Sequence, residues 1–170
     1  MLTYKTVALL VILSAQRCQT LHFLDIRNML LTDKIVKFSI GDKLKQTKPG
    51  NHVHELEFPV YPTDTCLCIV FVVKEYIERT KSLRGNITSF FITYVKPYKA
   101  ASKDTISRWI KATLGQAGID LTHFKLHSIR SSSTSAAAKT KVPLDTELPV
   151  GQDIARLQHI IRNQSTKVGN

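Results

Sequence analysis

Cysteine is scarce in this sequence, and its three copies follow no recognisable pattern. Cys18, Cys66 and Cys68 are odd in number, which disfavours a framework of disulfides. Cys66 and Cys68 are one residue apart, and no partners elsewhere complete a zinc site. We therefore predict three reduced, semi-buried thiols in an intracellular protein, and neither a metal nor another cofactor.

A long hydrophobic run is also missing. The apolar stretch from Val7 to Leu13 is far shorter than the about 20 residues that a transmembrane helix needs. It imitates the core of a secretory signal, but no A-x-A cleavage pattern follows it. We interpret residues 3–14 as a buried first helix. A secreted protein stays as the alternative, in which the glycosylation motifs at Asn86 and Asn163 would have meaning.

Acidic residues are few as well. The chain has 13 Asp and Glu against 24 Lys and Arg, a formal charge of +11 in 170 residues. Such an excess predicts a polyanionic partner, most often nucleic acid, or else an acidic membrane surface. No block of lysine and arginine carries the charge, so we expect a basic face on a folded domain.

The hydrophobic pattern predicts an α+β fold, mostly helical with one small antiparallel sheet. After the first helix, a break near residues 14–16 leads to a short helix through Leu24. Two alternating segments, at 34–40 and 52–60, predict strands of a hairpin. The other predicted elements are an apolar helix at about 64–80, a strand or extended segment at 87–95, a helix from the N-cap Ser102 to Gly118, and a helix at 127–140.

Within the last of these helices, His127 and Arg130 are three residues apart and so share one helix face. Histidine can donate or shuttle a proton, and arginine is a permanent planar cation. The pair suits a phosphate. A single H-x-x-R is a weak pattern, however, and a solvated helix face explains most such pairs.

Two further stretches give the pair its context. "SAQRCQTLHFLDI" (14–26) contains Arg17 at a break between helices, and "LKQTKPGNH" (44–52) is a lysine-bearing connection after a strand. Together with "LHSIRSSSTSAAAK" (126–139) they resemble the catalytic domain of tyrosine recombinases, the phage integrase superfamily. Within this superfamily the sequence most resembles the enzymes of DIRS-type retrotransposons, and the resemblance covers residues 5–145.

The resemblance implies an integrase-like catalytic domain whose partner is double-stranded DNA. It also implies a possible homo-oligomer on DNA, a nuclear location if the source is eukaryotic, and no metal, membrane or small-molecule cofactor. Arg17 and Arg130 would fork onto one scissile phosphate, within roughly 10 Å of each other, with His127 beside them. Lys45 or Lys48 would be the general acid, and the sequence does not choose between them. Lys43 would join these residues in DNA binding.

The family's nucleophilic tyrosine has no counterpart in this chain. In the family it follows H-x-x-R and forms a covalent link to DNA, whereas all five tyrosines here precede His127. Residues 146–170 no longer match the family, and we predict a poorly packed tail. Reading permitted codons of residues 148–162 in another frame allows "AGWSGHSKIAAYYK", which holds the missing Gly-Trp and tyrosines, so we favour a frameshift. A non-catalytic basic DNA-binding module remains the competing interpretation, and either protein would bind DNA without cleaving it.

Overall fold

The computed structural model describes residues 2–14, 16–40 and 55–118, together with His159. Its four helices in these ranges are α1 (Leu2–Ser14), α2 (Cys18–His22), α3 (Ile69–Thr80) and α4 (Lys103–Gln116). Its three strands are β1 (Met29–Leu31), β2 (Ile35–Ser39) and β3 (Glu55–Pro59). Short 3-10 turns follow α2 at Ile26–Asn28 and α3 at Lys81–Leu83. The predicted α+β class is confirmed.

The first helix lies in the core. α1 packs against both α3 and α4, and Val7 and Leu10 are fully buried. A helix that is apolar on nearly every side must be enclosed by protein or membrane. Here its neighbours enclose it, as the prediction of a buried first helix required. Among the described residues, none of the helices has the length and apolar character needed to cross a membrane.

The three strands form one antiparallel sheet in the order β1-β2-β3. Val36 pairs with Phe58 and Phe38 with Leu56, and these four side chains are buried. Lys37, between two of them, points to the other face, as the alternation of side chains along a strand requires. The sheet therefore covers the core with one face and offers charged groups on the other.

Helix α4 follows its predicted boundaries closely. The Ser102 hydroxyl accepts a hydrogen bond from the Thr105 amide at 3.2 Å, which satisfies one free donor of the first turn. Gly118 has φ +68°, a conformation that glycine adopts without strain and that commonly ends a helix. The apolar face, with Ile106 and Trp109, is buried.

Two elements differ from the prediction. The strand β1 is present although no pattern predicts it. Helix α3 begins at Ile69 rather than near Asp64, because the Asp64 carboxylate accepts hydrogen bonds from the amides of Cys66 and Leu67 and so holds a turn. The 87–95 segment, predicted as a strand or an extended segment, forms isolated bridges at Ser89 and Ile92. The predicted helix at 127–140 and the domain boundary at 145 lie outside the described residues.

Candidate nucleic-acid interface

Arg17 is the one predicted site residue that falls within the described ranges. Lys43, Lys45, Lys48, His127 and Arg130 lie outside them, so the expected closeness of Arg17 and Arg130 stays a prediction. The attachment of the lysine-bearing connection is nevertheless defined. Strands β2 and β3 are paired neighbours, so the chain that carries the three lysines leaves and re-enters the sheet at the same end.

Arg17 occupies the break between α1 and α2. Its backbone is extended, with φ −78° and ψ 154°, and its carbonyl oxygen accepts a hydrogen bond from the Leu21 amide. Its side chain is exposed, and none of the described carboxylates forms an ion pair with it. Asp25, the acidic residue nearest to Arg17 in sequence, binds Arg27 at 2.8 Å instead. The Arg17 side chain is therefore exposed to solvent, while its backbone is held by the first turn of α2.

Helix α2 lies against α4 and so places Arg17 beside it. His22 Nδ1 donates a hydrogen bond to the Ala101 carbonyl at 3.0 Å, and the Ser107 side chain lies near enough to the Cys18 thiol to act on its pKa. The first contact joins the end of α2 to the start of α4, and the second joins the start of α2 to the middle of α4. The two helices thus run in roughly opposite directions, and Arg17 immediately precedes the Cys18 contact.

Two exposed lysines follow one row of α4. Lys103, Ser107 and Lys111 are spaced four residues apart, which places them on one side of the helix; we call this set the α4 lysine stripe. Burial raises the pKa of the Cys18 thiol, while the nearby Ser107 side chain and the positive charges of Lys103 and Lys111 act in the opposite direction. The stripe is therefore close enough to the start of α2 to influence its electrostatics.

On the sheet and on α3, by contrast, cations have carboxylate partners. Lys37 lies 2.6 Å from Glu55, and the ion pair raises the pKa of the lysine. Lys74 binds Asp33 and lowers the pKa of that carboxyl group. Arg79 pairs with Glu75 at 2.7 Å, one helical turn away on α3. Each of these three cations is thus compensated by a neighbouring carboxylate.

Arg84 is buried and is paired with backbone rather than with a carboxylate. Its guanidinium donates to the Ser89 carbonyl at 2.7 Å, to the Phe90 carbonyl at 2.8 Å and to the Thr80 hydroxyl at 3.0 Å. It also lies 5.7 Å from the centre of the Tyr76 ring, and burial lowers its pKa. Sequence reasoning gave Arg84 no role. Its contacts are those of a residue that ties the 89–90 segment to α3.

Tyr94, one of the five tyrosines that precede His127, lies away from Arg17. Tyr94 and Tyr4 are joined by a hydrogen bond between their hydroxyls at 3.1 Å, which raises the pKa of Tyr4. Tyr4 is in the first turns of α1, whereas Arg17 follows the end of that helix at Ser14. Ten residues of α-helix span about 15 Å. The exposed Tyr94 hydroxyl is therefore held near the opposite end of α1 from Arg17.

The described residues offer no set of side chains suited to a metal ion. Among the described residues, no group of three or more His, Cys, Asp or Glu side chains could hold a metal ion. The three cysteines are free thiols, and Cys68 is buried, where its sulfur accepts a hydrogen bond from the Tyr61 amide at 3.2 Å. Cys68 is part of the hydrophobic core, and Cys18 packs against that core.

Searches against known protein families, characterised proteins and solved structures found no match to this chain.

Proposed function

We propose that this chain is a duplex-DNA-binding domain of the tyrosine recombinase type that grips phosphates and does not complete strand cleavage. The observation that carries the proposal is Arg17, an exposed guanidinium without a described carboxylate partner at a defined helix break. An antiparallel hairpin follows it in the chain, and the connection of that hairpin carries Lys43, Lys45 and Lys48. This order agrees with the sequence resemblance.

Phosphate binding suits these groups chemically. A guanidinium can donate two parallel hydrogen bonds to two oxygens of one phosphate, and such charge-assisted bonds are roughly twice as strong as neutral ones. In the resembled family, Arg17 and Arg130 would share one phosphate, His127 would hydrogen-bond it, and Lys45 or Lys48 would protonate the departing sugar oxygen. The attacking hydroxyl would come from a tyrosine after Arg130, and the chain has none there.

The competing function is a non-catalytic basic module that only holds the DNA backbone. The order of the tyrosines favours this alternative, because a domain without the nucleophile has no cleavage to perform. The two functions differ in whether Arg17 and Arg130 meet at one phosphate. Residues that share a ligand show non-additive effects of substitution, whereas separate backbone contacts add.

The test is binding of the full-length chain to a fluorescently labelled duplex, followed by anisotropy at several salt concentrations. We expect affinity to fall steeply with salt, because each neutralised phosphate releases counterions. Arg17→Gln should weaken binding by roughly 10-fold, the value of one charge-assisted phosphate contact. Arg79→Gln is the matched control, since Arg79 is partly exposed and paired with Glu75 on α3.

A double-mutant cycle then separates the two functions. If Arg17 and Arg130 share a phosphate, the R17Q/R130Q double variant should lose clearly less affinity than the two single losses combined. Additive losses would favour the non-catalytic module. Absent or salt-independent duplex binding by the unaltered chain would contradict both.

A further inference from the structure

The α4 lysine stripe is a positively charged surface that the resemblance leaves without a role. Lys103 and Lys111 are eight residues apart in one helix, which separates their backbone positions by about 12 Å along its axis. None of the described carboxylates forms an ion pair with either lysine, although both are exposed. Arg17 adjoins the stripe through the contact between Cys18 and Ser107.

The acidic residue nearest in sequence does not cancel the stripe. Asp104 is exposed in the first turn of α4, and its spacing places it in the row of Arg108, four residues later. Arg108 itself donates to the Thr105 hydroxyl at 3.3 Å. The stripe, with Arg17 beside it, therefore keeps a net positive charge that is open to solvent.

The shape of this surface favours duplex DNA over a membrane. A helix that binds a membrane surface must insert its apolar face among the lipids. The apolar face of α4 is instead buried in the core, with Ile106 fully enclosed and Trp109 5 % exposed. The two lysines, about 12 Å apart, match the width of the B-DNA major groove, where backbone phosphates line both edges.

We propose that Lys103 and Lys111 form a second phosphate-binding surface that extends the DNA contact of Arg17 along α4. This inference rests on the proposed function and names further residues for the same partner. The contacts are to the backbone only, so they add affinity without sequence preference. Ser107 is engaged with Cys18 and separates the two lysines without binding DNA itself.

The experiment compares two double variants of the full-length chain. K103Q/K111Q removes the stripe, and K34Q/K81Q removes two other exposed lysines, on the β1–β2 connection and at the end of α3. Duplex affinity is measured by anisotropy across a salt series, with two unrelated duplex sequences. We expect K103Q/K111Q to reduce the slope of log affinity against log salt by about 2, equally for both sequences, because each lysine neutralises about one phosphate. K34Q/K81Q should keep most of the slope.

The outcomes separate this inference from the proposed function. If the unaltered chain binds and both double variants weaken binding equally, only overall charge matters, and the stripe proposal is overturned while DNA binding stands. An unchanged slope for K103Q/K111Q overturns it as well. If the unaltered chain binds anionic lipid vesicles but not duplex DNA, both proposals fail. A urea unfolding midpoint shared by both double variants shows that the change in binding does not arise from misfolding.

Discussion

Three cations on the sheet and α3, namely Lys37, Lys74 and Arg79, lie against carboxylates, whereas the exposed Arg17, Lys103 and Lys111 have no carboxylate partner among the described residues. Lys37 has Glu55, and Arg79 has Glu75. Arg17 and Lys103 have no such partner among the described residues. Surface ion pairs contribute little to stability, and unpaired like charges contribute nothing favourable. We infer that the second group is free to meet a ligand, whereas the cations of the first group are already occupied by carboxylates.

Arg84 shows that the absence of a carboxylate is not by itself a sign of ligand binding. It also lacks an acidic partner, yet it is only 5 % exposed and its donors are taken up by Ser89, Phe90 and Thr80. A ligand could not reach it. The comparison therefore depends on exposure as well as on pairing, and the two kinds of arginine should respond differently to substitution.

The largest effect that we predict is loss of stability on replacing Arg84. Arg84→Met keeps much of the volume but leaves two buried carbonyls and the Thr80 hydroxyl without their donor, so the free energy of unfolding should fall by about 3 kcal/mol or more. Arg84→Lys should lose less, because one ammonium can still reach part of this set. Urea unfolding followed by circular dichroism measures both.

Arg79→Met is the control for this prediction. Arg79 is half exposed, and its pair with Glu75 should contribute less than about 1 kcal/mol. If Arg84→Met cost no more than Arg79→Met, the buried arginine would not hold the 89–90 segment, and the distinction between buried and exposed cations would fail.

Much of the helical fold could be predicted because the signals are local. The Ser102 cap, the Gly118 end and the apolar row with Trp109 all depend on neighbours within a few residues. Strand β1 could not be predicted in the same way, because its three residues, 29–31, have no alternating pattern. It is a strand because β2 pairs with it, and that pairing is a tertiary property.

The charged residues likewise differ in whether their role follows from local sequence or from tertiary contacts. Arg17 could be predicted as a site residue because it lies in a stretch that resembles the recombinases. That Asp25 does not pair with it could not be predicted, because Asp25 forms its ion pair with Arg27. Lys103 and Lys111 carry a sequence signal, the eight-residue spacing in "KDTISRWIK", that becomes informative only once α2 is known to lie beside α4. Arg84 resembles any surface arginine in sequence, since its acceptors are backbone carbonyls.

A smaller effect should appear on acidification through Asp25. Arg27 hydrogen-bonds this carboxylate and lowers its pKa from 3.8 to about 2, with further bonds from the Arg27 amide and Thr88. Because the folded pKa lies below the ordinary value, the stabilisation is present above about pH 4 and is lost as the pH falls towards 2. Allowing for the solvent exposure of Arg27, we expect about 1 to 2 kcal/mol.

The measurement compares urea midpoints of the unaltered chain and of Asp25→Asn at neutral pH and near pH 3. The variant should be less stable at neutral pH, and its stability should fall less on acidification. Asp33→Asn is the control, because Asp33 also has a lowered pKa but its side chain is 95 % exposed, so the change should be smaller. If the urea midpoints of Asp25→Asn and Asp33→Asn changed equally with pH, burial of Asp25 would add nothing to the stabilisation by its ion pair.

The smallest effect tests whether the stripe truly adjoins Arg17. Lys103 and Lys111 stabilise the thiolate of Cys18, so K103Q/K111Q should raise the pKa of that thiol further and slow its alkylation by iodoacetamide at a fixed pH. Peptide mass spectrometry distinguishes Cys18 from the other two cysteines. K34Q/K81Q should leave the rate unchanged, because those lysines do not act on Cys18. If Cys18 of K103Q/K111Q reacted as fast as in the unaltered chain, Lys103 and Lys111 would not lie close to the start of α2. Arg17 and the α4 lysine stripe would then not form one surface.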